Sequence, residues 1–366
     1  MTRTPNRTLR MDWFLLLLVV VLSAVGLLNL RSAAAVDDMP HHVSQMLWMV
    51  IGFSAAAGVS SVDYRLAERG AWFIYITAVI LLILVPIVGT TNNTTAQRWI
   101  DLGLFQLQPS EPAKVAVILS VARFLHDREE KVPHTLLTLV QLAGIIGLPF
   151  VLVLNQPDLG TATTIGLIGC TMLVMERFRL SALIPAGIAG LIAMPVMWIF
   201  IMHDYQRERV MTLLNRAENI QEDGWQVSQS RIAIGSGEWF GKGYLRGAQV
   251  QNGFVPEHEN DFVFTHHGEQ FGFVGSVALI AVYAALILWA LRIASRGRDR
   301  FAVLTATGIA AFIFWHVFVN LAMVMGLLPV VGLWLPLCSY GGSAMITVMG
   351  MVGILMSISI RRDVRV

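Results

Sequence analysis

The sequence predicts an all-α integral membrane protein with ten transmembrane helices, both termini in the cytoplasm and one long structured loop outside. Three observations carry this. Of 366 residues, 55% are hydrophobic and only 14% charged, against roughly 25% charged in an ordinary soluble domain. The apolar residues gather into runs long enough to cross hydrocarbon, which takes about 20 helical residues. Lysine and arginine collect in alternate gaps, as cytoplasmic segments require. A mean hydropathy of +0.65 excludes a soluble enzyme, since so few charges cannot cover a chain of this size. A net charge of +2 excludes nucleic acid as a partner, because phosphate backbones are bound through abundant Lys and Arg.

The spans fall at 12–30, 43–61, 71–89, 111–126, 135–154, 159–175, 179–202, 270–292, 301–325 and 340–359. The first is too long for a cleaved signal, whose apolar core runs about 7–15 residues. The fourth is short and opens on Glu111 and Lys114, so its start belongs inside the protein rather than in lipid. The sixth is also short and follows the fifth through Asn155-Gln156-Pro157-Asp158. With the N-terminus inside, most of the 26 Lys and Arg lie in inner segments, and only Arg31, Arg98 and Lys114 lie in short outer ones. An even number of spans returns the C-terminus to the same side. Residues 1–366 thus read as a single membrane unit.

The seventh and eighth spans are joined by a stretch from His203 to about Glu269. Loops this long are functional or disordered. This one holds Trp225, Trp239, Phe240, Tyr244, Phe254 and Phe262, with helical spacing from Val227 to Ile234, so it reads as structured and folded back onto the membrane surface. Cys170 and Cys338 sit in apolar runs far apart, which is neither a disulfide framework nor a metal cluster. The tryptophans near span ends, Trp48, Trp72, Trp99, Trp239 and Trp334, read as an interfacial belt.

Ionisable groups at membrane depth are costly, and function is the first hypothesis for them. Four polar clusters all fall on the outer side. In the first, Ser110 suits a helix N-cap, Pro112 its first turn, and Glu111 and Lys114 face each other three residues apart. Two readings stand: a buried ion pair fixing the helix start, or a phosphate site shared by Arg98 and Lys114. In the second, Asp158 either caps the sixth span or faces a polar cavity. In the third, Pro256 suits a helix start that would set Glu257 and Asp261 on one face. By spacing alone, Asp261 is an ordinary loop carboxylate, and His258, His266 and His267 read as solvated or interfacial rather than as metal ligands. The fourth runs from Gly326 to Ser343, where two prolines and several glycines break two apolar runs. Such backbone at membrane depth must lie against protein or a wet cavity. It is either a tight turn or a rim of N–H groups and hydroxyls, Ser343 among them, for a polar headgroup.

Taken in order, Ala96–Asp101, Gln108–Lys114, Gln156–Thr161, His203–Val210, Gln229–Gly237, Pro256–Phe262 and Pro329–Ser343 resemble the SEDS family (shape, elongation, division and sporulation) over essentially the whole chain. The His203–Val210 stretch is similar to the rod-shape branch rather than the division branch. The resemblance implies an inner-membrane peptidoglycan glycosyltransferase. It would polymerise lipid II on the outer face beside a class B penicillin-binding protein. It also implies that Asp261 is the essential carboxylate, and that Glu111, Lys114 and Asp158 are the family's charged positions. Two stretches depart from the family: Thr90–Thr95 replaces a Gly-rich approach to Arg98, and Phe264–Glu269 replaces a more apolar segment.

The chemistry expected is an inverting transfer. A carboxylate takes the proton of an acceptor hydroxyl as it attacks the anomeric carbon, and a lipid diphosphate leaves. Cations for that diphosphate are sought among Arg98, Lys114, Arg207, Arg209 and Lys242, or in a divalent cation, Mg or Mn, for which no ligand set is legible. A lipid II flippase and a non-catalytic scaffold for the penicillin-binding protein are the competing readings.

Overall fold

The computed structural model describes residues 11–33, 41–90, 97–101, 103, 106–128, 132–202, 207, 211, 222–247 and 259–361. Its helices are α1 (Trp13–Ala33), α2 (His41–Ser61), α3 (Tyr64–Val88) and α4 (Ser110–His126). There follow α5 (Leu136–Leu154), α6 (Leu159–Val174) and α7 (Leu180–Val196), the last continued by a π-helical turn, Met197–Ile201. The chain ends with α8 (Glu222–Ser236), α9 (Val263–Ala294), α10 (Arg300–Val324) and α11 (Gly342–Arg361). Strands β1 (Ile100–Asp101) and β2 (Gln106–Leu107) form a small antiparallel hairpin between α3 and α4.

Each expected span coincides with a helix. Among the described residues, 8 helices are long and apolar enough to cross a membrane; α6 is a shorter apolar helix and α4 spans 17 residues. Three expectations are corrected. Helix α3 starts at Tyr64 rather than residue 71, because Asp63 caps it and its first turns are polar. Helix α9 starts at Val263 rather than residue 270, so the long loop is shorter than expected. Its first turns carry His266, His267 and Glu269, which hide a helix from a hydropathy count. Ser110 is the first helical residue, and Pro109 holds the cap position.

The centre of the bundle is α4 and α10, both buried over most of their length, with α11 lying along α2. Helix α7 is the opposite: nearly all its side chains are exposed, and it leans chiefly on α5. The helix ends sort into two groups. One end is basic and laced by polar bonds. Tyr64 donates to Asp299 at 2.6 Å, Arg300 pairs with Glu176, and Arg361 donates to the carbonyls of Ser60 and Ser61 at 3.2 and 3.0 Å. There Asp12 accepts from Trp289 at 2.9 Å and from Ser359 at 2.7 Å, pinning α1 to α9 and α11.

At the other end, the segment between α10 and α11 re-enters the bundle. Leu335, Leu337 and Cys338 are buried. Tyr283 of α9 donates to the carbonyl of Pro336. Helix α1 lies so close that a Cβ on Gly26 would stand 2.6 Å from the Cα of Cys338. The irregular backbone expected here is therefore sealed against protein, as the bilayer demands.

Helix α9 is cut at Gly272, whose φ of 65° and ψ of −160° are open essentially to glycine alone. The segment after α8 splices the cut. Phe273 and Val274 donate to the carbonyls of Glu238 and Trp239 at 2.8 and 3.0 Å. The carbonyls of Glu269 and Gln270 accept from Lys242 and Gly243, each at 3.0 Å. No buried backbone group is orphaned by the break at these four positions, which is what permits it.

Candidate active site

Asp261 lies in the turn that leads into α9, two residues before the helix, and is part-buried. The helix start expected around Pro256 would have placed it on a helical face; instead it precedes the first turn. Its carboxylate lies against the re-entrant segment, with Oδ2 only 3.3 Å from where a Cβ on Gly332 would be. Its backbone carbonyl accepts from Nδ2 of Asn320 at 2.8 Å. Two residues before it, Glu259 pairs with His41 of α2 at 3.2 Å.

Glu111 and Lys114 are both fully buried in α4, with Lys114 Nζ 2.8 Å from Glu111 Oε1. The i,i+3 spacing therefore produces the facing pair the sequence proposed. Two groups complete a ring around it. Lys114 Nζ lies 3.1 Å from His316 Nε2, and the indole N–H of Trp334 donates to Glu111 Oε1 at 3.0 Å. An ammonium only donates, so His316 Nε2 accepts and its Nδ1 carries the proton. That nitrogen faces the carbonyl of Trp334 at 3.4 Å. Phe312 and Trp334 each present a ring 5.3 Å from the ammonium. Glu111 Oε2 is buried with no hydrogen-bond partner among the described residues.

Arg98 donates to the carbonyls of Gln156 and Pro157, clasping the turn between α5 and α6. Asp158 caps α6 by accepting from the Thr161 N–H at 3.1 Å and lies 3.5 Å from Gln108 Nε2. Lys242 reaches the fully buried Glu269 at 2.7 Å, with its own side chain 31% exposed. Ser343 stands in the first turn of α11, its hydroxyl buried with no partner among the described residues. Arg207 donates to the carbonyls of Trp198 and Ile199 at 2.9 and 2.8 Å, closing the end of the π turn.

The structure thus gathers Asp261, Glu111, Lys114, Asp158, Arg98 and Ser343 at the same end of the helices. The re-entrant segment connects several of them: its Trp334 holds Glu111, and its Leu333 shares Asn320 with Asp261. Pro256, Glu257, His258, Arg209 and Thr91–Thr95 lie outside the described residues. His266 and His267 are buried rather than solvated. His266 lies 2.6 Å from Gln270, and His267 sits between Asn29 of α1 and the carbonyl of Gly275. Trp334, read as part of an interfacial belt, is instead a ligand of the buried pair. Sequence reasoning missed His316 and Asn320. Both are polar residues four apart in an otherwise apolar span, and that was the signal available.

The fold and this arrangement define a polytopic membrane protein whose polar site lies at one end of its helices. Residues 7–363 match the FtsW/RodA/SpoVE cell cycle protein model, and the chain belongs to that family. It is similar to the peptidoglycan glycosyltransferase MrdB of Escherichia coli K12, at 40% identity over 99% of this chain and 98% of that one. It is also similar to a probable peptidoglycan glycosyltransferase FtsW of Trichlorobacter lovleyi, at 33% identity over 98% and 95% of the two chains. Among solved structures, one chain from work on structural coordination of polymerization and crosslinking by a peptidoglycan synthase complex superposes with a TM-score of 0.80. It is 28% identical, covering 96% of this chain and 99% of that one. The crystal structure of the rod shape determining protein RodA of Thermus thermophilus gives a TM-score of 0.72 at 28% identity, over 98% and 99% of the two chains.

Proposed function

We propose that this chain polymerises lipid II into glycan strands during cell elongation, with Asp261 as the general base. That it is a glycosyltransferase of cell-wall synthesis follows from its family and its full-length relatives. The observation that supports the rest is the setting of Asp261. It is a part-exposed carboxylate in a turn whose backbone is anchored to α10, beside a re-entrant segment and at the end of the bundle remote from the arginine-rich loops. Positive residues mark the cytoplasmic side. On this reading ten spans cross the inner membrane, both termini are cytoplasmic, and Asp261 works on the outer face.

In the proposed step, the Asp261 carboxylate accepts the proton of the acceptor sugar hydroxyl while that oxygen attacks the anomeric carbon of the growing strand. The bond to the lipid diphosphate breaks, and the centre inverts. A positioned base contributes roughly 10²–10⁴-fold. Arg98 and Lys242 are the proposed partners of the diphosphate; the Ser343 hydroxyl, sought as a headgroup contact, is buried and lies beneath that surface. Glu111, Lys114 and Asp158 act from beneath that surface. The polyprenyl tails stay in lipid, since each buried CH₂ removed would cost about 0.8 kcal/mol. Among the described residues, no three His, Cys, Asp or Glu side chains are grouped to hold a metal. We propose that any divalent cation, Mg or Mn, arrives with the substrate's diphosphate. The proposed partner is a class B penicillin-binding protein, which cross-links the strands.

The experiment is polymerisation of lipid II by detergent-purified protein, read as glycan on a gel. Wild type is expected to make long strands, and Asp261→Asn and Asp261→Ala none, while both variants remain folded. A flippase or a scaffold would make no strand in detergent, and full product from either variant would overturn the role of Asp261.

A further inference from the structure

Three successive carbonyls lead to the Asp261 side chain, and each is held by a different donor. The Glu259 carbonyl accepts from the Tyr340 N–H at 3.0 Å. The Asn260 carbonyl accepts from the Ser339 hydroxyl at 2.6 Å. The Asp261 carbonyl accepts from Asn320 Nδ2 at 2.8 Å.

The two side-chain donors are themselves fixed. Ser339 Oγ accepts from the Leu335 N–H at 2.7 Å, so its hydroxyl hydrogen is left for Asn260. The backbone carbonyl of Ser339 accepts from Gln45 of α2 at 3.3 Å. Asn320 bridges two carbonyls with one amide nitrogen, the second being Leu333 O at 2.6 Å. Turning that amide over would set its oxygen against both carbonyls, so the donor assignment is settled by the acceptors themselves. Neither side chain is open to a substrate: Asn320 is fully buried and Ser339 is 6% exposed.

Asn320 also stands one helical turn from His316 on α10. His316 faces the carbonyl of Trp334 and Asn320 that of Leu333. One helix face therefore fixes two adjacent residues of the re-entrant segment and the residue that carries the carboxylate.

We propose that Asn320 and Ser339 are positioning residues for the transfer. They hold the backbone of residues 259–261 so that the Asp261 carboxylate meets the acceptor hydroxyl, and they touch no substrate themselves. This rests on Asp261 being the base. A displacement of about 1 Å at a reacting group costs up to about 10²-fold, and loss of either donor frees residues 259–262, which are a turn and not part of α9.

The test measures kcat and KM for lipid II in detergent, per folded enzyme, for Asn320→Ala, Ser339→Ala, Asp261→Ala and Ser357→Ala. Ser357 bonds the Val62 carbonyl at 2.7 Å at the opposite end of the bundle, and its loss calibrates a purely structural effect. Asn320→Ala and Ser339→Ala are expected to lower kcat roughly 10–100-fold with KM within about 2-fold. Ser357→Ala is expected to keep the wild-type kcat whatever it does to the melting temperature. Ser339→Ala removes a single atom, so it reports even if Asn320→Ala fails to fold. Wild-type kcat in both variants, or a raised KM at unchanged kcat, overturns the proposal if Asp261→Ala is inactive. Full activity of Asp261→Ala removes the reading beneath it as well.

Discussion

Lys114 and His316 face each other across 3.1 Å in the centre of the bundle, both sealed from solvent. A histidine beside an ammonium is an unusual neighbour. It is accommodated because the ring accepts through Nε2 and keeps its single N–H at Nδ1, facing the Trp334 carbonyl of the re-entrant segment. The charge itself is balanced by Glu111, and the four groups close on one another through Trp334.

This ring makes a stability prediction. Removing one member of a buried ion pair strands the other, at roughly 3–5 kcal/mol, whereas removing both can be nearly neutral. Lys114→Met and Glu111→Gln are each expected to lower the melting temperature of the purified protein strongly. The double variant should recover much of the loss. Thermal melting of the four proteins gives the coupling between the two sites directly. Additive losses would mean that the pair does not act as a unit.

The Lys242–Glu269 pair should behave asymmetrically. Glu269 is fully buried, while Lys242 is 31% exposed and can swing into water. Lys242→Met takes the cation from a buried carboxylate; Glu269→Gln leaves a lysine free to solvate. The first is expected to destabilise by about 1–3 kcal/mol and the second by less. Limited proteolysis between Gly237 and Gly247 checks this, with faster cleavage expected in Lys242→Met.

At the arginine-rich end, His134 lies between α4 and α5, 3.4 Å from Glu176. Burial holds its imidazole below the usual value; Glu176 pulls it up, and Arg300 and Arg128 push it down. A histidine depressed in the folded state binds its proton more readily once unfolded. Its contribution to stability is therefore complete above about pH 6.5 and is lost as pH falls below that. The melting temperature is expected to drop between neutral and mildly acidic pH, and His134→Gln should flatten that drop. An unchanged slope in the variant would assign the acid sensitivity elsewhere.

The helices behind the expected spans were legible because a long apolar run registers in a hydropathy window whether it faces lipid or, as in α10, the bundle interior. Asp158 as a cap and the Glu111–Lys114 pair were legible because both are local, within one helical turn. What was hidden is non-local. His316 and Asn320 read as passengers in an apolar span, since nothing in their spacing tells that one meets Lys114 and the other a carbonyl 59 positions away. The start of α9 was hidden for a related reason. Its histidines and Glu269 look like loop residues until Asn29, Ser32 and Lys242 are seen to meet that turn.

The interruption of α9 at Gly272 bears on how force travels through this protein. The short upper piece, which follows Asp261, is stitched to the residues after α8 as firmly as to the span below it. Residues 238–243 bond both sides of the cut, Phe273 and Val274 below it and Glu269 and Gln270 above it, so a displacement of that clasp is shared between the piece that follows Asp261 and the rod beyond Gly272.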